Sequence, residues 1–577
     1  MRKLSVADYF VEFLIANGVT DVFGYQGGMI AYIFDSLGKY RDRIRYHSCA
    51  TEQGAALAAC GYAQSSGKLG VAISTSGPGF TNLITGIANA WFDSVPVLFV
   101  SGNVNTKDKK RDKPLRQLGF QEIQAASVAE KITKGTYEFE LDMDYAACLE
   151  DVYRTVMTAR KGPVYLDLPI NVCREQILFE NIQPVSIEKE KRYFEADVFS
   201  ALEKSKKPVI IAGAGIKEVG CVELFRKAIE CLKIPVVTTL PAVDVLPSDS
   251  MYHMGYIGGT ARREAGIVLQ NADFVLSVGT RLCSKQIGHN LELFAPKARY
   301  FFRVDIDDDE FCRQLKDCEQ DILADIEDFL TWLLEESQRR KCEPDFSLWA
   351  NNCAEMHSML EDSDLTEGNL IFRELTDALP PNVNLLLDVG KNLTYGGQSA
   401  IIKEKTSVYM SAGLGTMGYA LPAAIGAYYG NGNPTVAVMG DGGAQMNIQE
   451  LNTIVKNKLP IKVVVLNNRA LGNIRIFQEQ YLDSRFVATS EAEGDYFSCD
   501  FGAIARAYGM KSYLIEKIDE INKYKDILSG EGAVLMEIVY EDCPALPGIV
   551  AGGEFLKEGT GLEMDIIENI AKLLEEI

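Results

Sequence analysis

Two polar sites in the last third of the chain carry residue types that suit phosphate and metal chemistry. Asp441 stands between Gly440 and Gly442 at the end of one apolar run, and Asn468 ends the next. The pattern predicts a strand–helix–strand crossover, and in parallel sheets ligands sit at the carboxyl ends of the strands. The glycines let the backbone approach a phosphate, and the next helix N-terminus favours its charge. Side-chain oxygens of Asp441 and Asn468 suit Mg²⁺ bridging to a diphosphate.

The elements that must position these residues are strands that alternate with helices along the whole chain. This alternation predicts an α/β fold built from three doubly wound parallel sheets. Charged stretches at 181–192 and 335–345 separate the units. We therefore predict domains at residues 1–180, 193–340 and 360–577.

The composition is that of a globular protein, with 47% hydrophobic and 24% charged residues among 577. A net charge of −22 argues against nucleic-acid binding as a main role. No apolar run reaches about 18 residues, so no transmembrane helix is predicted. The N-terminal segment carries Asp8 and Glu12 within its apolar pattern, which predicts an amphipathic helix rather than a signal peptide. The 13 cysteines form no CxxC pair, which indicates reduced thiols in a cytoplasmic protein.

Glu52 is a second candidate for chemistry, in the first predicted domain. It begins a helix of small residues that can pack closely against a neighbour. A glutamate at a helix N-terminus is also a common placement that the helix dipole favours, so position alone decides little. Glu52 is distinguished by two segments that flank it in the sequence, GYQGGM at 24–29 and STSGPGFTNLITGIANAWFDSVPV at 74–97.

These segments resemble those of the acetohydroxyacid (acetolactate) synthase family of thiamine-diphosphate (ThDP) enzymes. The likeness continues in order with GFQE at 119–122, ITK at 132–134, SAGLGTMGYALPAAIGA at 411–427 and then GDGGAQMNIQEL. It implies a pyrimidine-binding, a central and a diphosphate-binding domain. It also implies a homodimer or homotetramer in which the first domain of one chain and the third of another share each active site.

The resemblance assigns roles residue by residue. Glu52 would be the acid that activates the cofactor, and Met417 would wedge it into its bent shape. The metal would be bound by Asp441, Asn468 and the carbonyl of Ala470. Substrate contacts would come from Gly28, Phe120, Gln121 and Lys134. The remaining cofactor contacts would come from Val389, Gly390, Asn392, Gly415, Gly440, Gly442 and Gly443.

The central domain of this family holds a flavin adenine dinucleotide (FAD) with no net redox role. The GAG sequence at 213–215 follows an apolar strand but lacks the full GxGxxG, so alone it is weak. An empty structural domain, or one that binds another nucleotide, is the alternative. By resemblance, FAD contacts would come from Arg160, Gly213, Gly215, Thr239, Arg281, Asp305 and Asp325.

The acceptor side departs from the family pattern. Phe477 stands where the family has Trp, and Asn473 stands where it has Met. Lys285 replaces an Arg, so the bidentate guanidinium is lost, and Gln26 replaces a Pro. A basic cluster at 107–116 precedes GFQE, and it either gathers an anionic substrate or is a solvated loop. Together these changes favour an acceptor other than pyruvate or 2-oxobutyrate. One such acceptor is the nucleotide-linked keto-sugar of the branched-chain-sugar (yersiniose-type) carboligases.

The sequence thus predicts a ThDP- and Mg²⁺-dependent carboligase that decarboxylates pyruvate and transfers the two-carbon unit to a carbonyl acceptor. A true acetolactate synthase, a flavin oxidase and a non-catalytic ThDP-binding subunit remain open as alternatives. A simple decarboxylase is disfavoured because the chain has no His-His pair. The Gly- and Pro-containing segment 543–565 is expected to close over the active site, as in the family.

Overall fold

A computed structural model describes residues 2–179, 181–187, 197–363, 365–541 and 562–575. Most of the predicted closing segment, and the end of the predicted linker at 181–192, lie outside these residues. The structure has three six-stranded parallel sheets flanked by helices, which confirms the predicted α/β class. No helix in the described ranges is both long and apolar enough to span a bilayer.

The first part of the chain forms one of these sheets, in the order β3-β2-β4-β5-β7-β6, and an antiparallel pair of β1 and β8. Its strands are β1 Arg2–Ser5, β2 Asp21–Gly24, β3 Arg45–Ser48, β4 Gly70–Ser74, β5 Val97–Asn103, β6 Gly135–Glu138, β7 Val164–Pro169 and β8 Gln176–Phe179. Its helices are α1 Val6–Ala16, α2 Ala31–Lys39, α3 Glu52–Ser66, α4 Pro78–Phe92, α5 Ala125–Ala129, α6 Tyr145–Met157 and α7 Ile170–Cys173.

The central sheet has the order β11-β10-β9-β12-β13-β14, the order of a dinucleotide-binding fold. Its strands are β9 Pro208–Ala212, β10 Val236–Thr238, β11 His253–Tyr256, β12 Phe274–Val278, β13 Tyr300–Asp305 and β14 Glu319–Leu323. Its helices are α8 Val198–Leu202, α9 Gly215–Glu218, α10 Val222–Leu232, α11 Arg263–Asn271, α12 Ser284–Ile287, α13 Ile326–Arg339 and α14 Ser347–Leu360.

The third sheet has the order β16-β15-β17-β18-β20-β19. Its strands are β15 Asn384–Leu387, β16 Ser407–Met410, β17 Thr435–Gly440, β18 Ile461–Asn467, β19 Lys511–Ile515 and β20 Val534–Val539. The helices are α15 Glu367–Asp377, α16 Lys391–Ser399, α17 Ala420–Asn431, α18 Asp441–Met446, α19 Glu450–Lys456, α20 Gly472–Tyr481, α21 Phe501–Ala507, α22 Lys525–Ser529 and α23 Met564–Glu575. Counted by their own six strands, the first and third sheets have the same strand order, a kinship that spacing in the sequence does not reveal.

Helices α3 and α17 join the first and third parts of the chain. A Cβ added to Gly61 would lie 2.1 Å from the Ala423 carbonyl oxygen, and one added to Gly426 would lie 1.8 Å from the Ala58 oxygen. The two backbones are therefore so close that only glycine fits at these points. The small residues that follow Glu52 are explained by this contact.

Two features differ from the sequence expectations. Helix α23 packs its Ile570 and Leu574 into the core of the central part beside Trp349, so the predicted unit 360–577 does not end on its own sheet. Cys231 and Cys342 form a disulfide with their Cα atoms 5.3 Å apart. The expectation that all thiols are reduced is wrong at this pair, because the fold brings together two cysteines that no motif links.

Candidate active site

The carboxyl edge of the first sheet gathers several of the predicted site residues at its switch point, between β2 and β4. A Cβ on Gly27, which follows β2, would lie 2.5 Å from the Cβ of Thr75, which follows β4. The two turns are thus in contact. Gly28 and Gln26 are exposed beside them, at the edge where ligands of such sheets bind.

Glu52 begins α3 at this same edge. Thr51 caps the helix by accepting the N–H of Gly54 at 3.0 Å, and the helix N-terminus stabilises the nearby carboxylate. Asn82 of α4 donates to Glu52 Oε2 at 3.0 Å. The other oxygen, Oε1, lies 3.4 Å from the position of a Cβ on Gly79. Two residues of α4 therefore flank the half-buried carboxylate.

Glu450, which the sequence analysis did not single out, ties this turn to the third sheet. Its carboxylate accepts the N–H groups of Ala50 at 3.0 Å and Thr51 at 3.2 Å, and the Thr453 hydroxyl at 2.7 Å. The residue is fully buried, and burial raises its pKa. Glu450 thereby fixes the two residues that precede Glu52. The sequence feature that could have identified Glu450 is its position as a charged residue within the 440–451 segment.

Gln121 lies at the same edge, whereas Phe120 projects outward. Gln121 has φ +63°, and its Cβ lies 3.0 Å from the position of a Cβ on Gly77. Phe120 is 78% exposed. The loop is closed by Glu122, whose carboxylate accepts the N–H groups of Lys110 and Leu118. An open cleft beside it is lined by Met29, Val104, Asn105, Asp108, Leu118, Gly119 and Phe120.

Lys134 lies on the opposite edge of the first sheet. It comes directly before β6, its N–H donates to Pro163 just before β7, and Nζ donates to the carbonyl of Thr158 at 2.8 Å. Burial lowers its pKa to about 8. A strand of six residues spans roughly 20 Å, so Lys134 and Glu52 of one chain do not meet at one small substrate. Within one chain, the structure therefore does not bring Lys134, a predicted substrate contact, to the same site as Glu52.

The carboxyl edge of the third sheet is organised by Asp388, which directly follows β15. Its Oδ1 accepts the N–H of Gly418 and its Oδ2 that of Ala420, both at 2.9 Å. A Cβ on Gly443 would lie 2.6 Å from Oδ1. The residue is fully buried, and burial raises its pKa to about 6. Asp388 thus joins the three segments in which cofactor contacts are predicted, at 389–392, 415–417 and 440–443.

Those three segments form one glycine-lined cradle. Gly390 has φ +140° and is the N-cap residue of α16, and Gly415 has φ +74°, conformations that favour glycine. The Cδ2 of Leu471 and the Cε of Met417 lie 2.6 Å and 3.4 Å from the position of a Cβ on Gly442. Val389, Asn392 and Gly440 lie at the same switch point, where Asn392 Nδ2 donates to the carbonyls of Asp388 and Val438.

The predicted metal ligands follow β17 and β18, which are neighbours in the sheet. Asp441 is 1% exposed and is the first residue of α18. Its Oδ2 accepts the Tyr496 hydroxyl at 3.0 Å, and burial raises its pKa to about 6. Ala470 forms an isolated β-bridge with Ser490 just beyond Asn468. A buried carboxylate after β17, with an amide and a carbonyl after the neighbouring β18, is a set of hard oxygen donors that fits Mg²⁺.

The predicted FAD contacts lie along the carboxyl edge of the central sheet. Its switch point is between β9 and β12, where a Cβ on Gly213 would lie 2.0 Å from the Gly279 carbonyl oxygen. Gly215 follows in the same turn. Thr239 follows β10, Arg281 follows β12, and Asp305 ends β13.

The charges at this edge are mainly acidic. Arg160 is paired with Asp307 at 2.9 Å and Glu310 at 2.6 Å. Asp325 caps α13, and burial raises the pKa of Asp305. The strand order and glycine turns fit a nucleotide, and the aspartates suit its hydroxyl groups. Of the two predicted cationic contacts for a phosphate, Arg160 is already paired with two carboxylates, whereas Arg281 follows β12 at the carboxyl edge.

The four acceptor-side residues lie on three different parts of the chain. Asn473 and Phe477 share an exposed face of α20, where Phe477 is 53% exposed and its ring lies 5.0 Å from that of Tyr481. Lys285 is on α12, and Gln26 follows β2. The structure therefore groups Asn473 with Phe477 and leaves the other two apart.

The basic cluster at 107–116 is divided between structural and exposed charges. Lys109 is 7% exposed and pairs with Asp167 at 3.4 Å and Glu138 at 3.2 Å. Arg111 pairs with Glu140 at 2.9 Å on the surface. Exposed charges that could meet an anion are Lys107, Lys113 and Arg116. The cluster is therefore smaller as an anion site than its sequence suggests.

Models of thiamine pyrophosphate (thiamine diphosphate) enzymes match the chain in three places. The N-terminal TPP binding domain matches residues 4–128, the central domain 196–333 and the C-terminal TPP binding domain 388–538. The first and last matches contain Glu52 and Asp441 respectively. The domains that carry these two residues are thus both matched by models of TPP binding domains.

Curated relatives extend this likeness over nearly the whole chain. The acetolactate synthase isozyme 2 large subunit of Escherichia coli (strain K12) is 30% identical, covering 96% of this chain and 99% of that protein. The acetolactate synthase large subunit of Lactococcus lactis subsp. lactis (strain IL1403) is 32% identical, covering 96% and 95%. A probable large subunit from Methanocaldococcus jannaschii is 31% identical, covering 95% and 94%. The chain therefore belongs to the thiamine-diphosphate-dependent enzymes of acetolactate synthase type.

Proposed function

We propose that this protein is a Mg²⁺-dependent carboligase that decarboxylates pyruvate and transfers its two-carbon unit to a carbonyl acceptor. The observation that carries the proposal is that Glu52, after β3, and Asp441, after β17, both lie at the carboxyl edges of sheets with the same strand order. A subunit that only bound the cofactor would need the diphosphate cradle but not the acid. Retention of both supports catalysis.

The chain's own residues would divide the work between cofactor and metal. When bound, ThDP supplies a nucleophilic carbon that adds to the carbonyl of a 2-oxo acid. Glu52 would hold a proton against the cofactor's pyrimidine ring, and the Asn82 amide would keep the carboxylate oriented. Asp441 and Asn468, with the carbonyl of Ala470, would hold Mg²⁺ against the diphosphate. Each active site would combine the first and third domains of different copies in a homodimer or homotetramer.

We further propose that the acceptor is larger and more polar than pyruvate, with a nucleotide-linked keto-sugar as the class. Asn473 and Phe477 support this, since they offer an amide and an aromatic face on an exposed helix surface. Lys107, Lys113 and Arg116 would attract its diphosphate. FAD in the central domain is part of the same proposal, supported by the dinucleotide-type strand order.

A second candidate is a true acetolactate synthase that condenses two 2-oxo acids. The names of the relatives favour it, since those proteins are acetolactate synthase large subunits. In that case Asn473 and Phe477 would be tolerated substitutions in a 2-oxo-acid pocket.

Product analysis by mass spectrometry separates the two. Purified protein would be incubated with ThDP, Mg²⁺, FAD and labelled pyruvate, with and without a panel of nucleotide-keto-sugars. We expect label in a branched sugar when the matching sugar is present. Labelled acetolactate unaffected by every sugar would establish the second candidate, and no product with any acceptor would contradict both. Oxygen uptake would instead indicate a flavin oxidase.

A further inference from the structure

A buried carboxylate of the third domain is fitted against the turn that leads to Glu52. Glu450 is the first residue of α19 and is fully buried. Its Oε1 accepts the N–H groups of Ala50 at 3.0 Å and Thr51 at 3.2 Å, the two residues before Glu52. A Cβ on Gly54 would lie 2.0 Å from the same oxygen. The start of α3 therefore has space for this carboxylate only because residue 54 has no side chain.

The contact determines where the backbone of Glu52 lies, not how its carboxylate is turned. Thr51 is the N-cap of α3 and Glu52 is the first residue of the helix, so the N–H groups that Glu450 accepts have no partner within α3. A carboxylate offers only acceptor sites, and the positive end of the α3 dipole favours its charge. The side chain of Glu52 is held separately, by Asn82 of α4. Two supports thus reach Glu52, one from each of two domains.

Glu450 belongs to the segment that also carries a predicted metal ligand. Helix α18 begins at Asp441 and ends at Met446, four residues before Glu450. The Oε2 of Glu450 accepts the Thr453 hydroxyl at 2.7 Å, which fixes the carboxylate to its own helix. The third domain therefore holds the turn that precedes the predicted activating acid of the first.

We propose that Glu450 is a positioning residue for Glu52, and that Gly54 is required for this role. It acts through the turn at 50–51, which sets the direction from which the Glu52 carboxyl meets the pyrimidine ring of ThDP. This rests on the proposed function, in which Glu52 activates ThDP. A displacement of about 1 Å can cost about 100-fold in rate, so loss of the contact should slow activation while cofactor affinity is kept.

The first measurement needs no cofactor. Hydrogen exchange of the full-length protein, followed by mass spectrometry of peptides that span 49–54, reports the protection of the Ala50 and Thr51 N–H groups. Glu450→Gln replaces an acceptor oxygen by a donor, and Gly54→Ala places a methyl group where Oε1 lies. The two variants disturb the contact from opposite sides. We expect exchange at these N–H groups to become about 10-fold faster in both, because a buried hydrogen bond is lost.

The second measurement separates positioning from a general loss of structure. Nuclear magnetic resonance gives the rate at which bound ThDP exchanges the proton on its reacting carbon for deuterium, and calorimetry gives the affinity for ThDP. We expect proton exchange about 10- to 100-fold slower in Glu450→Gln and Gly54→Ala, with affinity within a few-fold. The double variant Glu52→Gln with Glu450→Gln should be no slower than Glu52→Gln alone, because Glu450 acts through Glu52.

Asp273 provides a matched control. It is a buried carboxylate of the central domain that accepts the N–H groups of two consecutive residues, Lys206 and Lys207, both at 2.9 Å. Asp273→Asn should speed hydrogen exchange at 206–207. It should leave hydrogen exchange at 50–51 and the proton exchange of ThDP as in the unmodified protein.

Three results would overturn the role of Glu450: normal proton exchange of ThDP in Glu450→Gln, an equal fall in Asp273→Asn, or full additivity with Glu52→Gln. Failure of the unmodified protein to bind ThDP, or to speed its proton exchange, would instead overturn the proposed function. The protection of the N–H groups at 50–51 is measured without ThDP, so the two failures are distinguishable.

Discussion

The first and third sheets share one strand order, yet their site edges are built differently. In the third, Asp388 accepts N–H groups of Gly418 and Ala420 from a fully buried position. In the first, Glu52 accepts one side-chain amide, that of Asn82, and is half buried. The third edge is a preformed cradle, whereas the first presents a carboxylate toward open space.

The difference shows which parts of the site depend on the fold and which on a ligand. A cradle made of backbone turns needs glycines and a buried acceptor, and these requirements constrain the sequence. Exposed side chains such as Phe120 and Phe477, at 78% and 53%, meet no such requirement within the chain. The cradle at the third edge is therefore constrained by the fold more tightly than these exposed side chains are.

The largest expected effect is at the open edge. Glu52→Gln keeps the shape and the contact with Asn82 but removes the acidic proton. We expect product formation from labelled pyruvate to fall by about 10²- to 10⁴-fold, the usual contribution of a positioned acid or base. ThDP affinity, measured by calorimetry, should stay within a few-fold. Glu130→Gln, an exposed glutamate of the same domain, is the control, and turnover by Glu52→Gln equal to that control would refute the role.

The loop that leads to Phe120 contains one buried and one exposed ion pair, and the contribution of each pair to stability can be measured. Lys109→Met leaves Asp167 buried without its partner, which we expect to lower the free energy of unfolding by about 3–5 kcal/mol. Arg111→Met breaks the exposed pair with Glu140 and should cost only about 0–1 kcal/mol. Urea unfolding at pH 8 measures both. Equal losses would mean that the loop is not anchored by its buried pair.

The pH dependence of this test has a definite sign. Burial raises the pKa of Asp167 to about 7, above its unfolded value, so its ionisation costs the native state stability as pH rises through the unfolded pKa, and this cost is complete above about pH 7. Removing Lys109 removes a charge that lowers this pKa, so the pKa rises further. The cost of Lys109→Met is therefore full above the raised pKa and shrinks as pH falls, because the carboxyl becomes protonated. A cost that grew toward low pH would contradict the assignment.

A smaller effect is expected at the rigid edge. Asp388→Asn replaces one acceptor oxygen by an amide that faces the N–H of Gly418 or Ala420. One buried N–H then lacks its partner, which costs about 1–3 kcal/mol, and ThDP affinity should fall with it because the cradle loosens. Asp500→Asn is the control, since Asp500 caps α21 from an exposed position by accepting the N–H of Ala503 at 2.7 Å, and asparagine caps equally well. A stable Asp388→Asn protein with normal ThDP affinity would show that the cradle does not depend on this hub.

The sequence could predict the features that are marked by the ends of apolar strands and by glycines. The three parallel sheets, and the α/β class they define, follow from alternation of apolar runs with helices. Asp441 and Asn468 follow neighbouring strands as the pattern required. Asp388 escaped notice because a buried aspartate that accepts backbone N–H groups has no spacing signature.

Other features depended on which edge or layer a segment occupies. Lys134 comes before its strand, whereas Glu52 and Asp441 follow theirs, and only the folded sheet turns that difference into opposite edges. The Cys231–Cys342 disulfide joins residues 111 positions apart, and the packing of α23 on the central domain joins still more distant ones. Such long-range contacts leave no local pattern in one sequence.

The smallest effect is expected for substitutions on the exposed face of α20, which should change acceptor preference rather than overall activity. Asn473→Met with Phe477→Trp restores the residues of the family pattern, so a 2-oxo acid should gain as acceptor over a keto-sugar. One pocket contact changes discrimination by about 10-fold or slightly more, so we expect a shift of this order in the product ratio measured by mass spectrometry. Glu479→Gln, on the opposite side of the helix, should leave the ratio unchanged. Because α20 is exposed and no cradle residue moves, total pyruvate consumption should stay within a few-fold. A fall in consumption without a change in ratio would place Asn473 and Phe477 in cofactor positioning rather than in acceptor choice.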